Sequence, residues 1–175
     1  MLPIILDPKI LNVMVIGKGN ATTNRLNMLE KAKVENVKYF ETCPDESEFN
    51  GINLLYVADL TDEDSAEIYK IAKARNIITN TEDKLPYCDF HVPAMVRRGD
   101  LLITSSTKGK SPRIARRTRR ILENMFDESW GDKLEEVSKI RDEYKKQGYK
   151  FESMAEKIDE DIARLGVFNE FCDRC

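Results

Sequence analysis

A glycine-rich turn between two regular segments places the strongest constraint on the fold of this chain. The turn GKGNAT, from Gly17 to Thr22, follows the apolar run NVMVI and precedes a segment with apolar residues at helical spacing. A strand, a tight turn and a helix in this order are typical of a dinucleotide-binding parallel sheet. Gly17 permits the tight turn, and Gly19 lets the backbone approach a pyrophosphate at the helix N-terminus. The residues of this turn predicted to bind the cofactor are Gly17, Gly19, Asn20, Ala21 and Thr22.

Two details qualify this motif. Thr22 stands where the fingerprint has Gly or Ala, and its larger side chain is expected to hold the helix farther from the sheet and to weaken the site. Glu41 ends the next strand-like run about 20 residues beyond the turn, where a carboxylate accepts hydrogen bonds from an adenosine ribose. Glu41 and its neighbour Thr42 are therefore predicted to bind the cofactor, with NAD favoured over NADP. Taken alone, the motif is also compatible with an ordinary glycine turn.

The remaining pattern predicts an α/β protein with a Rossmann-like parallel sheet. Apolar runs at 37–40, 52–59 and 77–80 read as strands, and they alternate with helix-like segments. From Phe90 two short strands joined by the turn RRGD follow, and Ser111 and Pro112 open a helical C-terminal region. We therefore predict a nucleotide-binding domain over 1–84, a small mixed segment over 85–111 and a helical domain over 112–175.

Composition excludes several classes of protein. The chain has 175 residues, 34% of them charged, and a net charge of -3, which is typical of a globular protein with solvated helices. Its apolar start is interrupted by Asp7, Pro8 and Lys9, so that neither a signal peptide nor a membrane role is predicted, and a cytoplasmic location follows by default.

Cysteine and histidine usage does not favour a metal site. Among the four cysteines only Cys172 and Cys175 have ligand-like spacing, in the sequence CDRC, and His91 is the sole histidine. A structural zinc site would need two further ligands from distant positions. Free thiols are the simpler interpretation, and no metal ligands are predicted.

A strongly basic segment contrasts with the acidic chain around it. The stretch SSTKGKSPRIARRTRR, residues 105–120, carries seven cations and no acid. Nucleic acid is one explanation, but no aromatic residue interleaves with the cations and the net charge is negative. The outer arginines are equally well explained as solvated residues or as partners of the acidic C-terminal helices. The seven cations are Lys108, Lys110, Arg113, Arg116, Arg117, Arg119 and Arg120.

The second half of the chain contains several distinctive short motifs, namely NTED (80–83), FHVPA (90–94), RGDLLI (98–103), STKGKSP (106–112) and RRILE (119–123). Together these motifs resemble the siroheme synthase N-terminal family, whose members are precorrin-2 dehydrogenases and in some cases also sirohydrochlorin ferrochelatases. The resemblance covers nearly the whole chain and implies a homodimer that oxidises precorrin-2 to sirohydrochlorin with NAD. It also implies that the segment 85–111 mediates dimerisation.

The resemblance also implies roles for individual residues. Asp83, the last residue of NTED, matches the proton-abstracting base, although a turn-capping aspartate before KLP is the simpler structural explanation. The substrate carries acetate and propionate groups around its ring, which explains a need for dispersed positive charge. The residues expected to bind these carboxylates are Ser106, Thr107, Lys110, Ser111 and Arg113.

One departure from the family pattern lies after Glu41. In the family more chain separates the second strand from the strand before Thr61 and Asp62, whereas here only ETCPDESEFNG is present. This leaves room for a sheet one strand smaller and a more open cofactor pocket. It also motivates an alternative function, a non-catalytic tetrapyrrole-binding or carrier protein that has lost the redox step.

Overall fold

The computed structural model describes residues 2–168 of the chain. The chain divides into two compact units, one ending at Val92 and the other beginning at Pro93. The segment 85–111 that was predicted to mediate dimerisation spans this border.

The first unit is built on a four-stranded parallel sheet. Its strands are β1 (Asn12–Ile16), β2 (Asn36–Phe40), β3 (Leu54–Val57) and β4 (Ile78–Thr81), in the spatial order β2-β1-β3-β4. All three ladders are parallel. The chain leaves β1 towards β2 on one side and returns to β3 on the other, so the strand order reverses between β1 and β3. Open α/β sheets bind ligands at the carboxyl ends of the strands at such a point.

Two helices cover opposite faces of this sheet. Helix α1 (Asn20–Lys31) packs on the face that contains Val13 and Val15, and helix α2 (Asp62–Ala74) packs on the other face. The alternation within β1 explains this arrangement, because successive strand residues point to opposite faces and both faces are buried. The predicted Rossmann-like α/β fold is confirmed, with a sheet of four strands.

The short connection between β2 and β3 completes the core without adding a strand to this sheet. It contains a 3-10 turn, Glu46–Phe49, whose Phe49 side chain is buried in the core on the α2 face together with Ile52. Arg75 beyond the end of α2 holds this turn through an ion pair with Glu46, at 2.6 Å. Phe49 and Ile52 of this connection thus help to cover the sheet face on which α2 packs.

The second unit combines a two-stranded antiparallel ribbon with three helices. The ribbon consists of β5 (Ala94–Arg98) and β6 (Leu101–Ser105), and the helices are α3 (Pro112–Met125), α4 (Ser129–Lys146) and α5 (Phe151–Arg164). The predicted helical C-terminal part is confirmed. Arg98 in the ribbon donates to the carbonyl oxygens of Phe126 at 2.7 Å and Glu123 at 3.3 Å. It thus provides hydrogen-bond donors for carbonyl groups at the C-terminus of α3.

The helices of this unit are joined by aromatic and charged contacts. Trp130 is buried against Phe126, with 4.8 Å between the ring centroids. The Tyr144 hydroxyl group on α4 donates to Asp161 on α5 at 2.7 Å. Within residues 2–168, none of the helices is both long enough and apolar enough to cross a membrane. The CDRC sequence, with Cys172 and Cys175, lies outside the described residues.

Candidate functional site

The glycine turn lies at the carboxyl edge of the sheet, between the ends of two neighbouring strands. Gly17 has a φ of 139°, and its N–H donates to the carbonyl oxygen of Phe40 at 2.9 Å. A Cβ atom on Gly17 would lie 1.8 Å from the carbonyl oxygen of Ala58, so a side chain cannot be accommodated there. Glycine is required at this position by the packing of the turn as well as by its backbone conformation.

Asp59 places a carboxylate at the N-terminus of α1. It is the second residue after β3 and adopts a left-handed conformation, with a φ of 57°. Its Oδ2 atom accepts hydrogen bonds from the Thr22 N–H and the Thr22 hydroxyl group, both at 2.8 Å. Both hydrogen bonds lower the pKa of Asp59, and the one from the Thr22 N–H has the larger effect. The N-terminus of α1 is thus capped by a carboxylate from the loop after β3.

The same carboxylate explains the second glycine of the turn. A Cβ atom on Gly19 would lie 2.6 Å from Cγ of Asp59. Gly19 itself is extended, with a φ of 162°, and its backbone does not demand glycine. In the structure, therefore, the space beside Gly19 is filled by Asp59.

Thr22, which departs from the fingerprint, is a buried part of this arrangement. Only 2% of the residue is exposed, and its hydroxyl group lies 3.4 Å from the Ala58 carbonyl oxygen as well as 2.8 Å from Asp59. Threonine rather than Gly or Ala therefore ties α1 to the end of β3. Sequence analysis missed Asp59, although an acid directly after an apolar strand at a ligand-binding edge is a signal that points to it.

Glu41 lies next to the glycine turn. Its carboxylate forms an ion pair with Lys18 of the turn, at 2.7 Å, and both side chains are largely exposed. The hydrogen bond to Glu41 raises the pKa of Lys18. Thr42 follows Glu41 and is exposed. The carboxylate that was predicted to bind the ribose is thus present at this edge, where it already has a cation as its partner.

Asp83 follows β4 at the same edge of the sheet. Val57 of β3 pairs with Thr81 of β4, so Asp59 and Asp83 each lie two residues beyond a paired position. Asp83 is exposed and has a φ of 57°, a conformation that aspartate adopts more readily than most residues. A non-glycine residue in this region of backbone space is frequently found at functional sites.

The residues on either side of Asp83 are fixed by charged contacts. Glu82 forms an ion pair with Arg25 of α1. The Lys84 ammonium group donates to the carbonyl oxygen of Leu60 at 2.9 Å and to the Ser65 hydroxyl group at 2.8 Å. These contacts connect the end of β4 to α1 on one side, and to the loop after β3 and the first turn of α2 on the other. They hold the backbone around Asp83 in place.

The predicted substrate-binding residues form a compact loop in the second unit. The Thr107 hydroxyl group exchanges hydrogen bonds with the backbone of Ser111, at 3.2 Å in each direction. The Ser111 hydroxyl group caps α3 by accepting from the Ile114 N–H at 3.3 Å, and Ser106 accepts from the Lys108 N–H at 3.3 Å. Two consecutive residues with a left-handed backbone conformation form the tip of the loop. They are Lys108, with a φ of 56°, and Gly109, with a φ of 76°.

The cations of this loop and of α3 are exposed. Lys110 and Arg113 are both in this group. Among the seven cations of residues 105–120, an ion pair within the described part of the chain is formed by Arg119 alone, with Glu123 at 3.4 Å. The Ser106, Thr107 and Ser111 hydroxyl groups stabilise the loop, and the ammonium and guanidinium groups remain accessible to an anionic ligand.

No group of three or more His, Cys, Asp or Glu side chains that could hold a metal ion occurs among residues 2–168. His91 is exposed. Cys88 is partly buried, and its thiol group donates to the Thr81 carbonyl oxygen at 3.1 Å. Burial raises the pKa of the Cys88 thiol group. The structure therefore uses Cys88 as a hydrogen-bonding residue at the end of β4.

The comparisons with known proteins identify the class of the first unit. The profile of a family described as "Putative NAD(P)-binding" matches residues 4–94, which is more than half of the chain. The chain belongs to this family.

The curated relatives that the chain resembles act in siroheme synthesis by name. A siroheme synthase of Vesicomyosocius okutanii is 29% identical over 163 residues, and siroheme synthase 1 of Pectobacterium atrosepticum is 26% identical over 163 residues. Each alignment covers 82% of this chain, and 35% and 34% of the respective relative. Siroheme biosynthesis protein met8 of Schizosaccharomyces pombe is 38% identical over 77 residues, 44% of this chain and 29% of the relative. The chain thus spans about a third of the length of these relatives, and the resemblance to the siroheme synthase N-terminal family is confirmed.

A solved structure supports the fold over both units. The structure titled "SirC, precorrin-2 dehydrogenase" matches with a TM-score of 0.72 and 19% sequence identity. The match covers 97% of this chain and 94% of that protein. At this level of identity the likeness concerns the fold.

Proposed function

We propose that this protein oxidises precorrin-2 to sirohydrochlorin with NAD in siroheme or tetrapyrrole biosynthesis. The observation that carries the proposal is the shared position of three features at the carboxyl edge of one sheet. These are the glycine turn, the Glu41 carboxylate and the exposed Asp83 carboxylate. Membership of an NAD(P)-binding family and relatives named siroheme synthase support it.

The cofactor would be held by the glycine turn and the end of β2. The backbone of residues 17–22 would face the pyrophosphate, and Glu41, with Thr42 beside it, would accept hydrogen bonds from the adenosine ribose. The turn and Glu41 fit this role, whereas the Asp59 carboxylate stands at the helix N-terminus that a pyrophosphate would use. When bound, NAD supplies the hydride acceptor for the oxidation.

Asp83 is the residue proposed to remove the proton. It is accessible to a ligand at the edge of the sheet, and the contacts of Glu82 and Lys84 hold its backbone. A positioned carboxylate acting as general base contributes a factor of roughly 10² to 10⁴ to the rate of a reaction. Asp83 thus accounts for proton transfer by the protein itself.

The basic loop of the second unit is proposed to bind the substrate carboxylates. Lys110 and Arg113 are exposed and flank the start of α3, where the positive end of the helix also favours an anion. The other proposed contacts are Ser106, Thr107 and Ser111.

The direct test is an anaerobic incubation of the purified protein with precorrin-2, with and without NAD⁺. We expect sirohydrochlorin absorbance and NADH to increase together, and only in the presence of NAD⁺. Binding of both compounds without turnover would contradict the dehydrogenase. A parallel incubation of sirohydrochlorin with Co²⁺ or Fe²⁺, without nicotinamide, tests the ferrochelatase activity that some members of the family have.

A second candidate, a tetrapyrrole carrier without redox activity, is favoured by one observation. The Asp59 carboxylate occupies the helix N-terminus, and a protein that no longer binds a nucleotide would tolerate this arrangement. A titration separates the two functions: a carrier binds sirohydrochlorin but shows no nicotinamide-dependent formation of it.

We further infer that the protein is a homodimer. The ribbon of the second unit has only two strands, and apolar side chains remain exposed on α3, among them Ile114 at 58% and Ile121 at 59%. Sedimentation equilibrium tests this: a mass twice that of one chain is expected, and a monomer at micromolar concentration contradicts it. The predicted cytoplasmic location stays a prediction.

A further inference from the structure

The N-terminus of α1 already has a negative ligand, which is supplied by the chain itself. Helix N-termini attract anions because their first N–H groups have no partner within the helix and because the helix dipole is positive there. Here the Thr22 N–H and hydroxyl group both donate to Asp59, at 2.8 Å. A pyrophosphate placed at this helix end would meet a carboxylate of the same sign.

We propose that Asp59 determines the affinity for the nucleotide, because its carboxylate must leave the α1 N-terminus before a pyrophosphate can bind there. This inference rests on the proposed function, since it concerns the same nucleotide site. In this arrangement the Asp59 side chain and the phosphates of the cofactor compete for one set of donors. Asp59 is thus an affinity-determining residue, not a catalytic one.

The surroundings of Asp59 favour a movement of its side chain over a movement of the loop. Lys84 donates to the carbonyl oxygens of Leu60 and Thr61 and to the Ser65 hydroxyl group, and so holds the backbone that follows Asp59. The residue is exposed, and its side chain borders Gly19, whose missing Cβ leaves the space that the carboxylate occupies. Rotation of one side chain therefore frees the helix end while the turn and the strand ends stay in place.

Two substitutions separate the charge of Asp59 from its backbone conformation. Asp59→Asn keeps an acceptor oxygen for Thr22 but removes the charge, and Asp59→Gly removes the whole side chain. Asn and Gly both tolerate the left-handed conformation at this position. Asp45→Asn, at an exposed aspartate of the same unit, is the matched control for loss of one negative charge. Thermal unfolding monitored by circular dichroism establishes that each variant is folded.

Binding is measured by titration of each purified variant with NADH, followed by its fluorescence, and with ADP and adenosine by calorimetry. Removal of one like charge at hydrogen-bonding distance is expected to tighten NADH and ADP binding by about tenfold or more in both Asp59 variants. Adenosine carries no phosphate, so its affinity is expected to stay unchanged, as is the NADH affinity of Asp45→Asn.

The outcomes distinguish this inference from the proposed function. Suppose that the unsubstituted protein binds NADH and that the Asp59 variants bind it equally or more weakly. The competition between Asp59 and the phosphates is then refuted, whereas the proposed nucleotide site is supported. An equal gain in adenosine affinity also refutes the competition, because the effect would then not depend on phosphate. If neither the unsubstituted protein nor a folded Asp59 variant binds NADH or ADP, both the inference and the dehydrogenase are refuted.

Discussion

The two regions proposed to bind ligands differ in how their charges are satisfied. At the carboxyl edge of the first unit, three contacts of charged groups are already made within the chain: Lys18 with Glu41, Arg25 with Glu82, and Asp59 with Thr22. In the second unit, Lys110 and Arg113 are exposed, and within the described residues neither forms an ion pair.

This difference predicts two kinds of binding. A ligand that binds the first region must replace contacts within the chain by its own. Its affinity therefore depends on the side chain that it displaces. A polyanionic ligand of the second region gains attraction without such an exchange, and salt screens that attraction. Substitutions in the two regions should therefore differ in their effects on ligand affinity and on its salt dependence.

Substitution of Asp83 by Asn is expected to reduce the rate of precorrin-2 oxidation by roughly 10² to 10⁴, the contribution of a general base. Asn is suited to the left-handed conformation of this residue, so the variant should fold. The NADH affinity is expected to stay nearly unchanged. Single-turnover absorbance measures the rate and NADH fluorescence the affinity, with Asp45→Asn as the control. Loss of folding in Asp83→Asn would instead assign the residue a turn-capping role.

Substitution of Lys110 and Arg113 together by Ala is expected to weaken sirohydrochlorin binding by about tenfold or more, because each side chain can form a charge-assisted hydrogen bond with a carboxylate. NADH affinity should not change. Fluorescence quenching at several salt concentrations measures the effect, and the variant should show a weaker salt dependence. Arg120→Ala, at an exposed cation farther along α3, is the control. An equal loss of sirohydrochlorin affinity in Arg120→Ala would mean that the cations attract the ligand through their overall charge and not at a defined binding site.

Substitution of Lys84 by Met is expected to lower the free energy of unfolding by about 2 kcal/mol, since it removes hydrogen bonds from a charged donor to the loop after β3. Urea unfolding measures this value. Lys70→Met, at an exposed lysine of α2, is the control and should change stability little. A Lys84 variant as stable as that control would show that the loop is held by other contacts.

Substitution of Glu41 by Gln is expected to reduce the ratio of NADH affinity to NADPH affinity by a few-fold, because the carboxylate that disfavours a 2′-phosphate is removed. Lys18 then loses its partner and becomes available to the phosphate. Parallel titrations with NADH and NADPH give the ratio, with Glu35→Gln as an exposed control. An unchanged ratio would place the adenosine ribose away from Glu41.

Much of the fold was predictable because its signals are local. The turn from Gly17 to Thr22, the apolar strands and Pro112 at the start of α3 each follow from neighbouring residues. The four-stranded sheet agrees with the short segment after Glu41, although no local pattern indicated that Phe49 would be buried in the core.

The charged partners at the candidate site were not predictable in the same way. Lys18 and Glu41 are 23 positions apart, and Thr22 and Asp59 are 37 positions apart, so their contacts depend on which strands are adjacent. Thr22 was expected to weaken the site because its side chain is larger than that of Gly or Ala, and its partner Asp59 lies in the loop after β3. Only the order of the strands reveals that Asp59 meets the start of α1.

The central claim is that the carboxyl edge of the first unit binds a dinucleotide at the expense of an internal contact. A crystal structure of the protein with NAD⁺ tests it most directly. We expect the adenosine ribose at Glu41, the pyrophosphate at the N-terminus of α1, and the Asp59 carboxylate turned away from Thr22. A nucleotide bound elsewhere, or one bound at the turn with the hydrogen bonds between Asp59 and Thr22 intact, would contradict the account.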